Sequence, residues 1–208
     1  MKKSLIFFVL LLLPFHLLAA QDAAVLLENT LSHIKTMQAD FLEVILSDTR
    51  VNERLTGVFY LKKMGNQPGK FVWQTNTPIH QEIISDGKKL WIYDKDLEQV
   101  IITSLQKNVG ATPVLLLNGQ KGNIAKNYQV KFAKVNDRLL IYTLFPKEKT
   151  LYRFIQMTFD GNKLVKMRFE DHLGQYTDFT FKNIRLNQLM NDKPFIFNMT
   201  KNIDVIHE

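Results

Sequence analysis

The sequence predicts a mainly β protein with a few helices, built as one strongly curved antiparallel sheet. After residue 48, apolar and polar residues alternate in short runs, which is the period of half-buried strands. Turn-forming pairs such as Asp86-Gly87 and Asp160-Gly161 separate these runs. About ten or eleven runs occur, and a sheet of that size curls. We therefore expect an incomplete barrel whose apolar concave face is covered by the helices.

The first 20 residues have the pattern of a signal peptide. Lys2 and Lys3 precede an apolar stretch, and Ala19-Ala20 supplies small residues for cleavage. A membrane anchor would need roughly 20 unbroken apolar residues, but a proline and a histidine interrupt this stretch. We predict that residues 1–20 are removed and that the protein is exported to the periplasm.

The remaining residues, 21–208, are expected to form a single domain with its own core. Loss of Lys2 and Lys3 lowers the formal net charge from +7 to +5. The lysines are scattered and accompany no nucleic-acid motif, so no nucleic-acid partner is predicted. The chain has no cysteine, which excludes a disulfide framework, a thiolate metal site and a lipidated N-terminal cysteine.

The first predicted element of the mature domain is an amphipathic helix from Asp22 to about Thr36. Its apolar stripe consists of Leu27, Leu31 and Ile34. A strand is predicted next, at residues 39–46, because β-branched residues occur there.

The later strands show the clearest alternation. Each of four runs places its larger apolar residues on one face and polar residues on the other, so one face of the sheet is expected to be dry. These runs are Tyr128, Val130, Phe132; Ile155, Met157, Phe159; Val165, Met167, Phe169; and Thr177, Phe179, Phe181. The dry face fits an aromatic-lined cavity, since the chain contains 15 Phe.

A short apolar helix is predicted to interrupt the meander. Thr112 can cap it and Pro113 occupies its first position. Val114, Leu115 and Leu116 follow and make it almost wholly apolar.

Catalytic and metal-binding patterns are missing from the sequence. The histidines share no ligand spacing, and no serine lies in a nucleophile elbow. Asp171 and His172 are neighbours, which on a strand point to opposite faces, and are interpreted as turn residues. The carboxylate pairs Asp94 with Asp96 and Glu170 with Asp171 are interpreted as solvated turns. No cofactor, no metal and no enzymatic activity are therefore predicted.

One region resembles a known family. Residues 68–73 (PGKFVW), 84–94 (ISDGKKLWIYD) and 96–100 (DLEQV) are similar, in order and spacing, to the outer-membrane lipoprotein carrier protein (LolA) family. Gly110 and Thr112-Pro113 continue the similarity. The resemblance implies an incomplete barrel with a helical lid over a hydrophobic cavity for lipoprotein acyl chains. It also implies an inner-membrane releasing transporter and an outer-membrane acceptor as partners of a monomeric carrier.

The candidate cavity residues are Phe71 and Trp73, which alternate onto one face, and Val114, Leu115 and Leu116 of the lid. Composition alone leaves open that Phe71 and Trp73 simply fill a core. The family's lid is held by an arginine before the proline, but this chain has Gln67 there. Alignment from the preceding strand makes Lys63 the counterpart, so both residues are candidate latches.

Two other functions remain as alternatives at this point. An aromatic half-barrel would also serve a periplasmic protein that binds free lipid or another amphiphile. A hydrolase is disfavoured because the sequence offers no paired nucleophile and base.

Overall fold

The computed structural model describes residues 16–47, 50–65, 67–105, 116–117, 122–199 and 203–208. Within these residues the chain forms two α-helices, one 3-10 helix and twelve strands. The helices are α1 (His16–Ser32) and α2 (Asn123–Asn127), and the 3-10 helix is Lys193–Phe195. The strands are β1 (Thr36–Ser47), β2 (Arg50–Met64), β3 (Gln67–Thr77), β4 (Gln81–Ser85), β5 (Lys89–Asp94), β6 (Gln99–Ser104), β7 (Tyr128–Lys134), β8 (Leu139–Pro146), β9 (Tyr152–Asp160), β10 (Lys163–Asp171), β11 (Tyr176–Leu186) and β12 (Asp204–His207).

All twelve strands belong to one sheet. Their order is β12-β6-β5-β4-β3-β2-β1-β11-β10-β9-β8-β7. Every pairing is antiparallel except that of β12, which runs parallel to β6. The sheet is open, because its terminal strands β12 and β7 are not neighbours in the described part of the chain. The predicted incomplete antiparallel barrel is confirmed, and the strand count exceeds the estimate by at least one.

Helix α1 begins earlier than predicted. It starts at His16 and not at Asp22. The predicted stripe is buried: Leu27, Leu31 and Ile34 are all at most 3% exposed. The helix packs on the edge strand β7 and on α2, so it covers part of the concave face.

The predicted alternation holds in β9, where Ile155, Met157 and Phe159 are buried. It fails at the start of β10. A bulge between Leu164 and Lys166 shifts the register against β9, so Leu164 is fully buried while Val165 is only half-buried. A β-bulge inserts one extra residue and reverses the facing of those before it.

The convex face carries a second, smaller apolar cluster made by the C-terminal segment. Phe195 packs there with Val72 and Ile84. Asp192 holds the segment to the sheet, since its carboxylate accepts from Lys62 Nζ at 2.8 Å and from Lys70 Nζ at 3.1 Å. The chain then continues to β12, which covers the edge of β6.

Of the helices in the described ranges, none has both the length and the apolar character that crossing a membrane requires.

Candidate functional site

A cavity of about 310 Å³ opens on the concave side of the sheet. Its walls are supplied by β1, β2, β3, β4, β9, β10 and β11. It lies toward the end of the sheet where β1 finishes and β2 begins, because Ile45 and Glu53 are among its lining residues. Its apolar lining consists of Ile45, Leu55, Trp73, Ile79, Ile83, Met167, Phe169 and Phe179. Its polar lining consists of Glu43, Glu53, Thr75, Gln81, Tyr152 and Thr177.

Trp73 lies at the centre of the aromatic wall. Its ring stacks on Phe41 with the centroids 4.2 Å apart. Phe179 meets the indole edge-on at 4.9 Å, and Phe169 meets Phe179 in turn at 5.6 Å. Such edge and offset contacts are the favoured geometries of aromatic pairs. The strands β1, β3, β10 and β11 therefore share one continuous aromatic surface.

A glycine in β2 makes the stacking of Phe41 possible. A Cβ atom at Gly57 would lie 1.9 Å from the carbonyl oxygen of Gln74 and 2.7 Å from the Phe41 ring. Both distances are shorter than real contacts. Gly57 thus lets the ring of Phe41 cross the neighbouring strand and reach Trp73.

Two carboxylates lie on the inner face at the polar side of the cavity. Glu43 and Glu53 are on β1 and β2, where Glu43 pairs with Leu55 and Glu53 pairs with Ile45. Burial raises the pKa of Glu43 to about 7, and repulsion by Glu53 contributes in the same direction. Burial is also the main cause of the raised pKa of Tyr152, to which Glu43 adds. The cavity thus contains an acid that changes charge near neutral pH.

The predicted cavity residues occupy different positions. Trp73 lines the cavity. Phe71, only 1% exposed, belongs to the core beside it, and Leu116 is buried in the same core. Val114 and Leu115 lie outside the described residues. The assignment of these residues to an acyl-chain site stays a prediction.

The two candidate latch residues have different environments in the structure. Lys63 lies near the end of β2, and its Nζ donates to the carbonyl oxygen of Leu31 in α1 at 2.6 Å. Burial lowers the pKa of Lys63 to about 8. Gln67 is exposed at the start of β3, opposite Met64 in the hairpin. The geometry favours Lys63 as the residue that holds α1.

Glu28 makes a second connection to α1. Its Oε2 accepts from the backbone N–H of Gly122 at 3.0 Å, and its Oε1 accepts from those of Ile124 at 3.0 Å and Ala125 at 3.3 Å. A carboxylate that accepts N–H groups at a helix start substitutes for a capping side chain. Glu28 therefore joins α1 to α2 across the concave face.

The turn interpretation of several polar residues holds, with one exception. Asp171 accepts backbone N–H groups of its own turn from Leu173 and Gln175. Glu170, interpreted above as solvated, is instead 2% exposed and pairs with Arg153 at 2.8 Å. Its position on the sheet, covered by neighbouring side chains, could not be inferred from the turn next to it. In the described part of the chain, no three His, Asp or Glu side chains are placed to share a metal ion.

Sequence reasoning missed Glu43 as a cavity residue. The signal was available, because Glu43 lies between Phe41 and Ile45 in a strand and so faces the same side as both. Phe169 and Phe179 were assigned to the dry face, and they do line the cavity.

Comparison with known proteins identifies the family. The sequence model described as "Outer membrane lipoprotein carrier protein LolA" matches residues 32–198. An outer-membrane lipoprotein carrier protein of Legionella pneumophila (strain Lens) is 34% identical over 204 residues, which are 98% of each chain. Another of that name from Hahella chejuensis (strain KCTC 2396) is 36% identical and covers 88% of this chain and 87% of its own.

Solved structures share the fold at low sequence identity. A DUF1329 family protein from Desulfovibrio piger superimposes with a TM-score of 0.53 at 15% identity, over 86% of this chain and 96% of its own. An uncharacterized conserved protein from Thermus thermophilus superimposes with a TM-score of 0.53 at 11% sequence identity, over 88% of this chain and 99% of its own. These structures support the curved sheet, and the sequence matches establish that the chain belongs to the LolA family of outer membrane lipoprotein carrier proteins.

Proposed function

We propose that the mature protein carries lipoproteins through the periplasm with their acyl chains on the concave face of the sheet. It would receive them from an inner-membrane releasing transporter and deliver them to an outer-membrane acceptor. The observation that carries this proposal is the aromatic cavity around Trp73. Such a lining contacts methylene groups without fixing a single orientation, as a carrier that must also release its cargo requires.

The energetic need for such a carrier is large. Burial contributes about 0.8 kcal/mol per methylene, so three long acyl chains would cost on the order of 30 kcal/mol to expose to water. The cavity of about 310 Å³ is at the small end of the range for ligand sites, about 300–1,000 Å³. Binding of several chains would therefore require more of the concave face than this cavity, including the part that α1 covers.

Lys63 is the residue that would control the displacement of α1. Its ammonium reaches the last turn of α1, where the carbonyl groups lack helical partners and attract cations. Displacement of α1 would leave the ammonium to find a new partner, whereas the Leu31 carbonyl also accepts from the N–H of Ile34 at 3.1 Å. Lys63 would thus take the role of the arginine found in the family.

The experiment that tests the function is release of radiolabelled lipoprotein from spheroplasts by the purified mature protein. We expect labelled lipoprotein in the soluble fraction as a one-to-one complex. Mass spectrometry of the bound material distinguishes the lipoprotein carrier from a protein that binds free lipid or another amphiphile. Acylated cysteinyl peptide supports the carrier, whereas free lipid alone would identify a general amphiphile-binding protein.

Trp73 provides the sharpest test of the site. Trp73→Ala should weaken cargo binding because it removes the centre of the aromatic wall, while Trp91→Ala is the matched control on the convex face, where Trp91 stacks on Phe197. Truncation of either indole costs about 3–5 kcal/mol of stability, so loss of binding in Trp73→Ala alone supports the site. Phe71 is a poorer probe, since a charge at so buried a position would unfold the protein.

A further inference from the structure

One end of the sheet presents a set of exposed aliphatic side chains. Five hairpin connections meet at this end, because β1, β3, β5, β8 and β10 all finish there. Each connection, or the strand end beside it, carries one large aliphatic side chain that faces solvent. These residues, called here the aliphatic rim, are Val51 (45% exposed), Ile79 (39%), Leu97 (71%), Leu151 (61%) and Leu173 (94%).

The rim adjoins the cavity. Ile79 belongs to both, since it is exposed and also lines the cavity. Leu151 immediately precedes Tyr152, another lining residue. The β8–β9 connection, which carries Leu151, contacts the β10–β11 connection, which carries Leu173. His172 Nε2 of the second lies 2.9 Å from the carbonyl oxygen of Thr150 in the first. A molecule that contacts the rim therefore lies next to the cavity.

Charges of both signs are interspersed at this end. Basic Arg50, Lys147 and Lys149 lie among acidic Asp94, Glu98, Glu148 and Asp171. Lys95 is already paired with Glu82 at 2.6 Å, and the ring of His80 lies 3.0 Å from the Asp96 carboxylate. A partner of strong single-sign charge would find no complement here, whereas a zwitterionic surface matches the rim.

The spacing of the rim residues also favours one kind of partner. Neighbouring hairpin tips are separated by two strands, or roughly 10 Å. Single aliphatic side chains at that spacing do not form the compact, packed centre on which protein interfaces depend. Each one can, however, enter a fluid lipid interface independently of the others.

We propose that the aliphatic rim docks this protein on the surface of a zwitterionic phospholipid bilayer. Leu151 and Leu173 enter the interfacial layer, and the cavity then faces the lipid. The mouth of the cavity is then held at the bilayer surface, beside the membrane partner with which cargo is exchanged. The biological meaning of this contact rests on the proposed function, but the contact itself does not depend on it.

The first test places an environment-sensitive fluorophore (NBD) on a single cysteine, which the chain's own lack of cysteine permits. Leu173→Cys labels the rim, and Val135→Cys labels the opposite end of the sheet, where Val135 is 58% exposed between polar neighbours. With phosphatidylcholine vesicles, the emission at position 173 should shift to the blue while that at 135 stays unchanged. An unchanged spectrum at 173 overturns the proposal.

The second test measures flotation of the unlabelled protein with the same vesicles. Leu151→Asp combined with Leu173→Asp should lower the partition coefficient at least about tenfold, because each aspartate must leave water; Val135→Asp should not change it. High salt should leave wild-type binding intact. Binding that requires added phosphatidylglycerol and disappears in salt would overturn the assignment to a neutral surface.

Failure of this proposal can be distinguished from failure of the carrier function. If wild-type protein does not float but the double variant loses lipoprotein transfer, the rim contacts a protein and the bilayer proposal is wrong. If the protein floats through the rim but releases no lipoprotein, the docking surface stands and the proposed function fails.

Discussion

Glu43 is an acid placed where the proposed cargo would bury it further. Cargo burial would remove the remaining water around its carboxyl group, so the neutral form should bind acyl chains better. The raised pKa of Glu43, about 7 in the protein without cargo, puts this protonation step in the range where small changes of pH matter.

We predict that acyl-chain affinity decreases as the pH rises through about 7. Folding stability should follow the same direction. Because the pKa of Glu43 is raised from its ordinary value of 4.5, its contribution to stability is complete below pH 4.5 and is lost as the pH rises through about 7. The full loss is roughly 3 kcal/mol.

Glu43→Gln should flatten the stability profile between pH 4.5 and 7, as measured by thermal unfolding. It should also remove the decrease of cargo affinity above about pH 7, as measured by cargo titration. Glu98→Gln, in the exposed β5–β6 turn, is the matched control and should keep the wild-type profiles. Equal slopes in wild type and Glu43→Gln would show that another group is responsible.

Lys63 offers a second prediction at the level of a single residue. Lys63→Met keeps the aliphatic stem but removes the donor to Leu31 O. The protein without cargo should lose about 1.5–3 kcal/mol of stability, the range for a hydrogen bond to a charged group. Cargo affinity should rise, because the open form becomes more populated.

Melting of the cargo-free protein and cargo titration measure the two effects. Gln67→Met, at the exposed start of β3, should change neither quantity. If Gln67→Met reproduces the effects and Lys63→Met does not, the assignment of the latch to Lys63 is wrong.

At the scale of elements, α1 is attached to the sheet by different kinds of contact. Its apolar stripe is buried, Lys63 holds its C-terminal end, and Glu28 joins it to α2. The polar contacts are few and can exchange with water, whereas the apolar stripe can be replaced by acyl chains. This combination suits a helix that is displaced by cargo.

We predict that Glu28→Gln uncouples α2 from α1. A neutral amide keeps one acceptor oxygen but loses the charge that strengthens bonds to the first N–H groups of α2. Amide hydrogen exchange at Ile124 and Ala125 should become about tenfold faster or more. Exchange at the buried centre of β9 should not change, and equal acceleration there would indicate global destabilisation instead.

Local pattern predicted those elements whose contacts are local. The stripe of α1 and the alternation of β9 were both predicted, since periodicity alone decides them. The bulge before Val165 was not, because one extra residue is invisible in a two-residue period. The pairing of β12 with β6 was missed for another reason: it joins segments about a hundred residues apart in sequence.

The residues of the site were likewise predicted only where the local sequence pattern decides their position. Trp73 was predicted as a cavity residue because it alternates with Phe71 onto one face, and it lines the cavity. Glu43 was missed because a glutamate in an apolar strand is ordinarily a solvated residue. The choice between Lys63 and Gln67 depended on the hairpin between β2 and β3, whose register only the fold supplies.

At the scale of the whole molecule, an open sheet of twelve strands has two edges to protect. Helix α1 packs on β7 at one edge. The short parallel strand β12 covers β6, whose sequence is rich in β-branched residues, at the other. Uncovered edges of this kind recruit other chains, and α1 and β12 each cover such an edge.

The seam between β1 and β11 has a consequence for how the chain folds. It is the only antiparallel pairing in the described sheet that joins strands far apart in sequence. A chain that emerges with its N-terminus first can form the β1–β6 meander early, but the other side of β1 then waits for β11. Such non-local pairing is slow, and the unpaired strand is open to association meanwhile. Asp40 and Glu43 lie on that strand, where like charges oppose pairing with a second copy.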